Sequence, residues 1–359
     1  MSVSDRITIQ SHQGPYTAVF DDQAIAKLNA APPKDAHVIV DARVAEIYAD
    51  RLGNLLKGPS VLRIEASEEA KSLERFPAYI EHLLTAAVRR GQVLLAIGGG
   101  ITQDITCFLA ATLLRGIDWH FYPTTLLAQC DSCIGSKSSI NVTGAKNILG
   151  TFTPPRHVTI STEFLDSLDP GDLRSGLGEM LKVHAIEGPK AFDRIATDYG
   201  RIFQDRKVMA DYIRRSLLIK QPYIEEDEFD RGKRNIFNYG HSFGHAIEAA
   251  TDFAIPHGIA VTIGMDMANY VASKLDVGSE ANYRRMHPVL AENYADHARR
   301  PIPFEPFLAA IAKDKKNLGS GSVTLILPDR EGRIFKDSYP IAGAFRAASD
   351  TYLKEGRRA

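Results

Sequence analysis

The residues of this chain best suited to chemistry are a pair of histidines, a third histidine behind a proline, and a glutamate one helical turn from a lysine. Gly240-His241-Ser242-Phe243-Gly244-His245 sets two imidazoles four positions apart, which puts them on one face of a helix. His257 follows Pro256 and opens the next helical stretch, and Glu179 lies in Gly176-Leu177-Gly178-Glu179-Met180-Leu181-Lys182. Two imidazoles and a carboxylate fill three positions of a zinc-type site and leave a fourth open for substrate, which is the catalytic arrangement. The spacing leaves open which two of the three histidines ligate, and ordinary structural histidines are the competing reading. The H-E-x-x-H of metalloproteases is absent.

A second constellation is built on glycine. Gly98-Gly99-Gly100-Ile101-Thr102-Gln103-Asp104 follows an apolar run and precedes a helical one. Such a turn lets the backbone approach a ligand and aims amides and a helix N-terminus at a pyrophosphate. It is not G-x-G-x-x-G, so a ligand-free tight connection competes with the dinucleotide reading. Asp41, ending an earlier apolar run, is either a ribose-hydroxyl acceptor or a helix N-cap. Between Asp131 and Asn147 lie Lys137 and Lys146 among Gly, Ser, Thr and Asn, with Arg115 upstream. That loop suits a phosphate or carboxylate, and a solvated polar loop is the alternative.

The elements that must hold these groups follow from periodicity. His37 to Val40, Val61 to Ile64 and Gln92 to Ile97 read as buried strands, and Tyr79 to Arg90 and Ile105 to Leu114 as helices. This alternation predicts a parallel sheet flanked by helices. After about Pro170 the pattern turns helical, with helices expected over Asp172 to Ile186, Val208 to Tyr223, Ser242 to Ala250 and Gly258 to Leu275. Ser322 to Leu327 is strand-like and leads into a turn at Pro328 to Gly332. The expected fold class is an α/β, Rossmann-like N-terminal dinucleotide-binding domain over residues 1–170. A mainly α-helical metal- and substrate-binding domain over 171–359 would follow it, with a ligand cleft between the two.

Bulk properties bound the function. The 359 residues are more than one hydrophobic core of roughly 250–300 residues usually holds. A formal net charge of −1 argues against bulk capture of nucleic acid or anionic membrane. Cys107, Cys130 and Cys133 make an odd, low cysteine count, so a reducing, cytoplasmic location is expected. The Cys130-x-x-Cys133 pair is a minor candidate for redox chemistry. The first residues show no signal pattern, and no apolar run reaches the length of a membrane span.

Taken together, GGGITQD, LRGIDWHFYPTTLLAQCDSCIGSKSSIN, GAKNILGTF, RSGLGEMLK, RNIFNYGHSFGHAIE and PHGIAVTIGM resemble the sugar phosphate cyclase family, most closely its 3-dehydroquinate synthase branch. The similarity covers nearly the whole chain and is densest from Ile97 to Gly264. The resemblance implies metal ligands at Glu179, His241 and His257, with zinc or cobalt as the divalent ion and His245 as a non-ligand facing phosphate. It implies NAD held by Asp41, Glu68, Lys71, Gly98, Gly99, Gly100, Asp104, Thr124, Thr125 and Asp131, a group in which Lys146 is also expected. Substrate contacts would come from Lys137, Asn147, Lys182, Lys220, Arg234 and Asn238. Arg115 and Lys316, or its neighbour Lys315, match phosphate-pocket positions. The implied chemistry is transient oxidation by NAD, loss of phosphate, return of the hydride, ring opening and aldol closure to a carbocycle; the implied partner is a small phosphorylated sugar or keto acid, and the implied assembly a homodimer.

Three departures border this implied site. The chain has Gly135-Ser136-Lys137-Ser138-Ser139-Ile140-Asn141 where the branch usually reads G-G-K-T-G-x-N. It has His257-Gly258-Ile259 for H-G-E, and Val183-His184-Ala185 for an aromatic-Gly. They bear on substrate more than on reaction type. Arg234 favours a carboxylate-bearing substrate, because a guanidinium forks onto a carboxylate, although a salt bridge to the segment Glu225 to Asp230 would also use it. The rivals are a deoxy-inosose or valiolone-type cyclase, a metal-dependent polyol dehydrogenase, and a non-enzymatic scaffold.

Overall fold

The computed structural model describes residues 5–313 and 321–357. The chain divides into two compact units, one of residues 1–168 with 221–229, the other of 169–220 with 230–359. The short segment 221–229 therefore joins the first unit, whereas a boundary at 170/171 puts it in the second.

In the first unit the elements run β1 (Arg6–Ile9), β2 (Tyr16–Phe20), α1 (Ala24–Ala30), β3 (Ala36–Asp41), α2 (Ala42–Ile47), α3 (Gly53–Leu56), β4 (Val61–Ile64), α4 (Phe76–Thr85), β5 (Val93–Gly98), α5 (Gly100–Thr112), β6 (Asp118–Pro123), β7 (Lys137–Val142), β8 (Ala145–Phe152) and β9 (His157–Ile160). Seven strands form one sheet in the order β1-β2-β9-β6-β5-β3-β4. Only β1 is antiparallel to its neighbour. Val38, Val40, Leu95 and Ile97 on the central strands pack with Ile25, Leu28, Tyr48, Leu52 and Phe164, all buried. Each such side chain contributes roughly 1.5–3 kcal/mol. From β3 the chain crosses one way to β4 and from β5 the other way to β6, so β3 and β5 flank a switch point. Ligands of doubly wound sheets bind beyond the carboxyl ends of the strands there, and those ends are Asp41 and Gly98.

Two local expectations change. Helix α4 begins and ends earlier than Tyr79 to Arg90, because Pro77 suits its first turn and Ala87 (φ +56°) and Gly91 (φ +86°) turn the chain out of it. The polar stretch Asp131 to Asn147 is no loop throughout. It enters the antiparallel hairpin β7–β8, closed between Val142 and Ala145 by Thr143 (φ +47°) and Gly144 (φ +79°). Two successive positive φ values make the two-residue turn whose twist matches the strands.

The second unit contains α6 (Pro170–Glu187), α7 (Pro189–Gln204), α8 (Arg206–Glu226) up to Lys220, α9 (His241–Ala250), α10 (His257–Lys274), α11 (Glu280–Asn293), α12 (Phe304–Ala312), the hairpin β10 (Ser322–Pro328) and β11 (Ile334–Pro340), and α13 (Gly343–Thr351). Every residue of α10 from Gly258 to Asn269 is buried, as befits a central helix that is apolar all round. Its one buried carboxylate, Asp266, accepts from Tyr294 Oη at 2.7 Å and Tyr352 Oη at 2.8 Å, and meets His287 Nδ1 at 2.9 Å. A buried carboxylate is tolerable only when satisfied in this way, and the three partners tie α11 and the C-terminal turn to α10. Among the described residues no helix is long and apolar enough to cross a membrane.

Candidate metal and nucleotide sites

Glycine brings α6, α9 and α10 to close quarters. A Cβ on Gly258 would lie 2.6 Å from the carbonyl carbon of Ser175, and one on Gly178 would lie 3.0 Å from that of Gly258. On the other side of α10, a Cβ on Gly264 would lie 2.9 Å from the Gly244 nitrogen. Gly240 takes φ +77° to start α9, and Tyr239 before it is anchored through Oη to Asn269 Oδ1 of α10 at 2.7 Å. These crossings fix the start of α9, the start of α10 and the middle of α6 against one another, and each of those places carries an expected ligand.

Glu179 Oε1 lies 3.6 Å from His241 Nε2 and 3.5 Å from His257 Nε2. Its other oxygen is 2.5 Å from Lys182 Nζ, with both side chains buried. The two imidazoles are oriented from behind. His257 Nδ1 faces Glu248 at 3.2–3.3 Å, and His241 Nδ1 faces the Tyr239 carbonyl at 3.3 Å. With Nδ1 engaged as a donor, Nε2 keeps its lone pair for a cation, the support that ligating histidines ordinarily have. Three donors on a tetrahedral ion about 2.0–2.1 Å away lie roughly 3.3–3.4 Å apart, so this set fits a divalent metal. His245 joins His241 and His257 in a cluster whose nitrogens lie within 4.8 Å of one another, but it is the exposed member, with its ring stacked 5.7 Å from that of His257.

The charges suit the same purpose. Burial by itself raises the Glu179 carboxyl, but Lys182, His241 and His257 outweigh it and hold the group well below the usual carboxylate range. Burial lowers His241 well below an ordinary imidazole. Burial also disfavours charge on His257, yet Glu179 and Glu248 overcome it and push that ring up to about 10. Glu248 was not anticipated. Its position seven residues after His241, on the same helix face, was the available signal.

The buried cations of this unit include Lys182, Lys220 and Arg234, although such residues are seldom buried. Lys182 Nζ lies 5.9 Å from the centre of the Phe237 ring. Asn238 ends the helical turn Lys233–Asn238 and donates to the Asn235 carbonyl at 3.0 Å. In the segment expected to compete for Arg234, Glu225 and Glu228 accept from the backbone amides of Gln10 and His12. His184, a departure next to Lys182, is a packing residue: it is buried, with Nδ1 on the Met180 carbonyl, and burial lowers it to about 4. Lys316 and Lys315 lie outside the described residues.

In the first unit, Gly98 closes β5 and Gly100 opens α5. A Cβ on Gly98 would lie 2.6 Å from Thr102 Cβ, and one on Gly99 would lie 2.9 Å from Thr125 Cγ2. A Cβ on Gly100 meets nothing within 4 Å. Two of the three glycines thus have an internal packing reason, and Gly100 is the one that faces open space. Asp41 caps α2 by accepting from Arg43 N at 2.9 Å. It also lines an open groove of about 420 Å³ with Arg43, Glu46 and Glu65.

Beside the glycine turn, Lys71 Nζ pairs with Asp104 Oδ2 at 2.6 Å and reaches Asn147 Oδ1 at 3.3 Å. Asn141, also not anticipated, donates to the Glu68 carboxylate at 3.0 Å and accepts from Asn147 N at 3.0 Å. Glu68, Lys71, Asp104 and Asn147 are therefore one network. Thr124 is buried, Thr125 Oγ1 accepts from Ala128 N, and Asp131 lies in the turn Ala128–Ser132. Lys137 and Lys146 are exposed on the hairpin. Arg115 is not brought to the glycine turn. It sits exposed beyond the far end of α5, about 20 Å along that helix. Cys107, Cys130 and Cys133 are buried and form no disulfide, and such burial does not suit a thiol-exchange pair.

Known proteins resemble this chain over most of its length. The model of the 3-dehydroquinate synthase N-terminal family matches residues 61–175, and that of the C-terminal family matches 176–317. A 3-dehydroquinate synthase of Mesorhizobium japonicum is 34% identical over 316 residues, which is 85% of this chain and 83% of that protein. One from Acidithiobacillus ferrooxidans is 36% identical over 81% of each. Among solved structures, the 2-epi-5-epi-valiolone synthase of Streptomyces hygroscopicus, with NAD+ and Zn2+ bound, superposes with a TM-score of 0.83 at 26% identity, covering 95% of this chain and 97% of that one. A 2-deoxy-scyllo-inosose synthase, complexed with carbaglucose-6-phosphate, NAD+ and Co2+, shares the fold at a TM-score of 0.81 and 22% identity, over 97% and 99% of the two chains. With both family halves matched in order and relatives aligned over most of its length, this chain belongs to the 3-dehydroquinate synthase family of sugar phosphate cyclases.

Proposed function

We propose that the chain is a phosphate-eliminating carbon–oxygen lyase that converts 3-deoxy-arabino-heptulosonate 7-phosphate to a carbocycle, with NAD and a divalent metal, zinc or cobalt, as cofactors. The observation that carries this reading is the convergence of Glu179, His241 and His257 at 3.5–3.6 Å in the unit that also buries Lys182, Lys220 and Arg234. When bound, NAD supplies a transient two-electron oxidation and the metal a Lewis acid.

The chain's own groups would do the rest. Glu179, His241 and His257 hold the metal, with Lys182 keeping Glu179 ionised. Arg234 forks onto the substrate carboxylate. Asn238, Lys220, Lys137 and Asn147 orient the sugar, and His245 faces the departing phosphate, whose charge a cationic pocket favours; Arg115 and Lys316 are assigned to that pocket on the family resemblance alone. Gly98, Gly99, Gly100, Asp104, Glu68, Lys71, Asp41, Thr124, Thr125, Asp131 and Lys146 serve the nucleotide. A cytoplasmic location is part of the proposal, supported by three buried cysteines outside any disulfide. So is a homodimer, for which Ile148 and Leu149, exposed on β8, are apolar surface to cover. A polyol dehydrogenase has less support: an iron-containing alcohol dehydrogenase shares the fold at 13% identity and a TM-score of 0.63.

The test is phosphate release by metal-loaded protein with NAD from 3-deoxy-arabino-heptulosonate 7-phosphate, glucose 6-phosphate and sedoheptulose 7-phosphate. The first should turn over far faster. Arg234→Met should cost roughly 2–5 kcal/mol in kcat/KM for it, because the carboxylate loses its partner. Preference for either neutral sugar phosphate would overturn the substrate assignment and leave the cyclase class.

A further inference from the structure

The hairpin β7–β8 carries a serine to which the reading above gives no role. Ser139 Oγ lies 2.8 Å from Asn147 Oδ1, and Lys71 Nζ lies 3.3 Å from the same atom. An ammonium can only donate, and a hydroxyl facing an amide oxygen donates to it. Two donors converging on one atom identify it as the oxygen and turn Nδ2 away from both. Lys71 alone would hold the amide weakly, since its shorter contact, 2.6 Å, is with Asp104. The Ser139 hydroxyl makes the closer contact to the amide. The backbone of Asn147 is held independently, by Asn141 Oδ1 at 3.0 Å. What Ser139 decides is therefore the rotation of an exposed carboxamide, not the position of its strand.

We propose that Ser139 is a positioning residue that locks the Asn147 carboxamide with Nδ2 outward. This place in the site then offers the substrate N–H donors only, and recognises an oxygen that accepts, such as a phosphate, carboxylate or ketone oxygen. The inference rests on the reading of Asn147 as a substrate contact.

The test uses Ser139→Ala, Ser139→Thr, Asn147→Ala and the double variant Ser139→Ala/Asn147→Ala in the metal-loaded enzyme with NAD and 3-deoxy-arabino-heptulosonate 7-phosphate. Loss of one hydrogen bond that orients the amide should raise KM about 2- to 10-fold in Ser139→Ala, with NAD affinity by calorimetry unchanged. Ser139→Thr, which keeps the hydroxyl, should restore KM. In the Asn147→Ala background, removing the hydroxyl should have no further effect, whereas a purely structural role would persist there. An unchanged KM in Ser139→Ala, or independent effects of the two substitutions, overturns the proposal and leaves the cyclase function intact. If wild type releases phosphate from none of the three sugar phosphates, both are overturned.

Discussion

Placing a methyl group on Gly258 tests whether the glycine crossing between α6 and α10 builds the metal site. The Gly258→Ala Cβ would sit 2.6 Å from the Ser175 carbonyl carbon and 2.9 Å from Ser175 Oγ. Unstrained carbon–carbon contacts are about 3.5–4.0 Å, so the two helices must part by roughly 1 Å. Overpacking of this kind costs about 1–3 kcal/mol. The consequence for the site is larger in kind. Glu179 rides on α6 one residue after Gly178, and His257 is the first residue of α10. Their facing atoms are 3.5 Å apart, and ligation tolerates only about 0.2 Å. Zinc affinity by titration calorimetry should therefore fall at least about tenfold, ~1.4 kcal/mol, and the denaturant midpoint should drop with it. Gly178→Ala, which meets the Gly258 carbonyl less severely, should show a smaller loss of both. Gly171→Ala is the control: it lies in the first turn of α6 with nothing within 4 Å of its Cβ, and should be neutral or stabilising by up to about 1 kcal/mol. Wild-type zinc affinity in Gly258→Ala would refute the reasoning.

Glu248→Gln should weaken metal binding about 10- to 100-fold, because the His257 ring loses its anionic support; unchanged affinity by metal titration would remove Glu248 from the site. Gly100→Val should weaken NAD binding more than tenfold, ~1.4 kcal/mol, with little change in melting temperature, since its Cβ meets no protein atom. Gly99→Val is the poorer probe because it meets Thr125 first. In metal-free protein His257, raised to about 10, is protonated at neutral pH, so zinc must displace a proton. Apparent affinity should rise with pH up to about 10, and calorimetry in buffers of different ionisation enthalpy should report close to one proton released; none at pH 8 would contradict the His257–Glu179–Glu248 arrangement. The sign for folding is the opposite. A raised histidine contributes stability below its ordinary pKa and loses it as pH climbs through the folded value, so metal-free protein should become easier to denature between about pH 6.5 and 10.

Local chemistry was legible in the sequence wherever one element contains it. The β5–glycine–α5 passage, the pairing of His241 with His245 on one helix face, and the alternation of strands and helices before Pro170 are short-range patterns, and backbone periodicity is enough to read them. So is the N-cap role of Asp41, one of two readings that spacing left open. What spacing could not reach was any relation between elements distant in the chain. That His241 and His257 face Glu179 while His245 is the exposed member depends on how α9 and α10 cross α6, and Gly178, Gly240, Gly258 and Gly264 set those crossings through close backbone approach. Glu248 became part of the site only because α10 starts beside it. The stretch Asp131 to Asn147 read as a loop because it is rich in Gly, Ser, Thr and Asn and the strand β8 that it enters is exposed. Pairing with β8, together with burial of Ser138 and Ile140 on β7, makes that segment β. The rotation of the Asn147 amide likewise depends on Ser139 and Lys71 arriving from two different segments. Residue type and spacing determined which groups were available, and packing of elements far apart in sequence decided which atoms meet, because periodicity specifies a face and only tertiary contact specifies what lies opposite it.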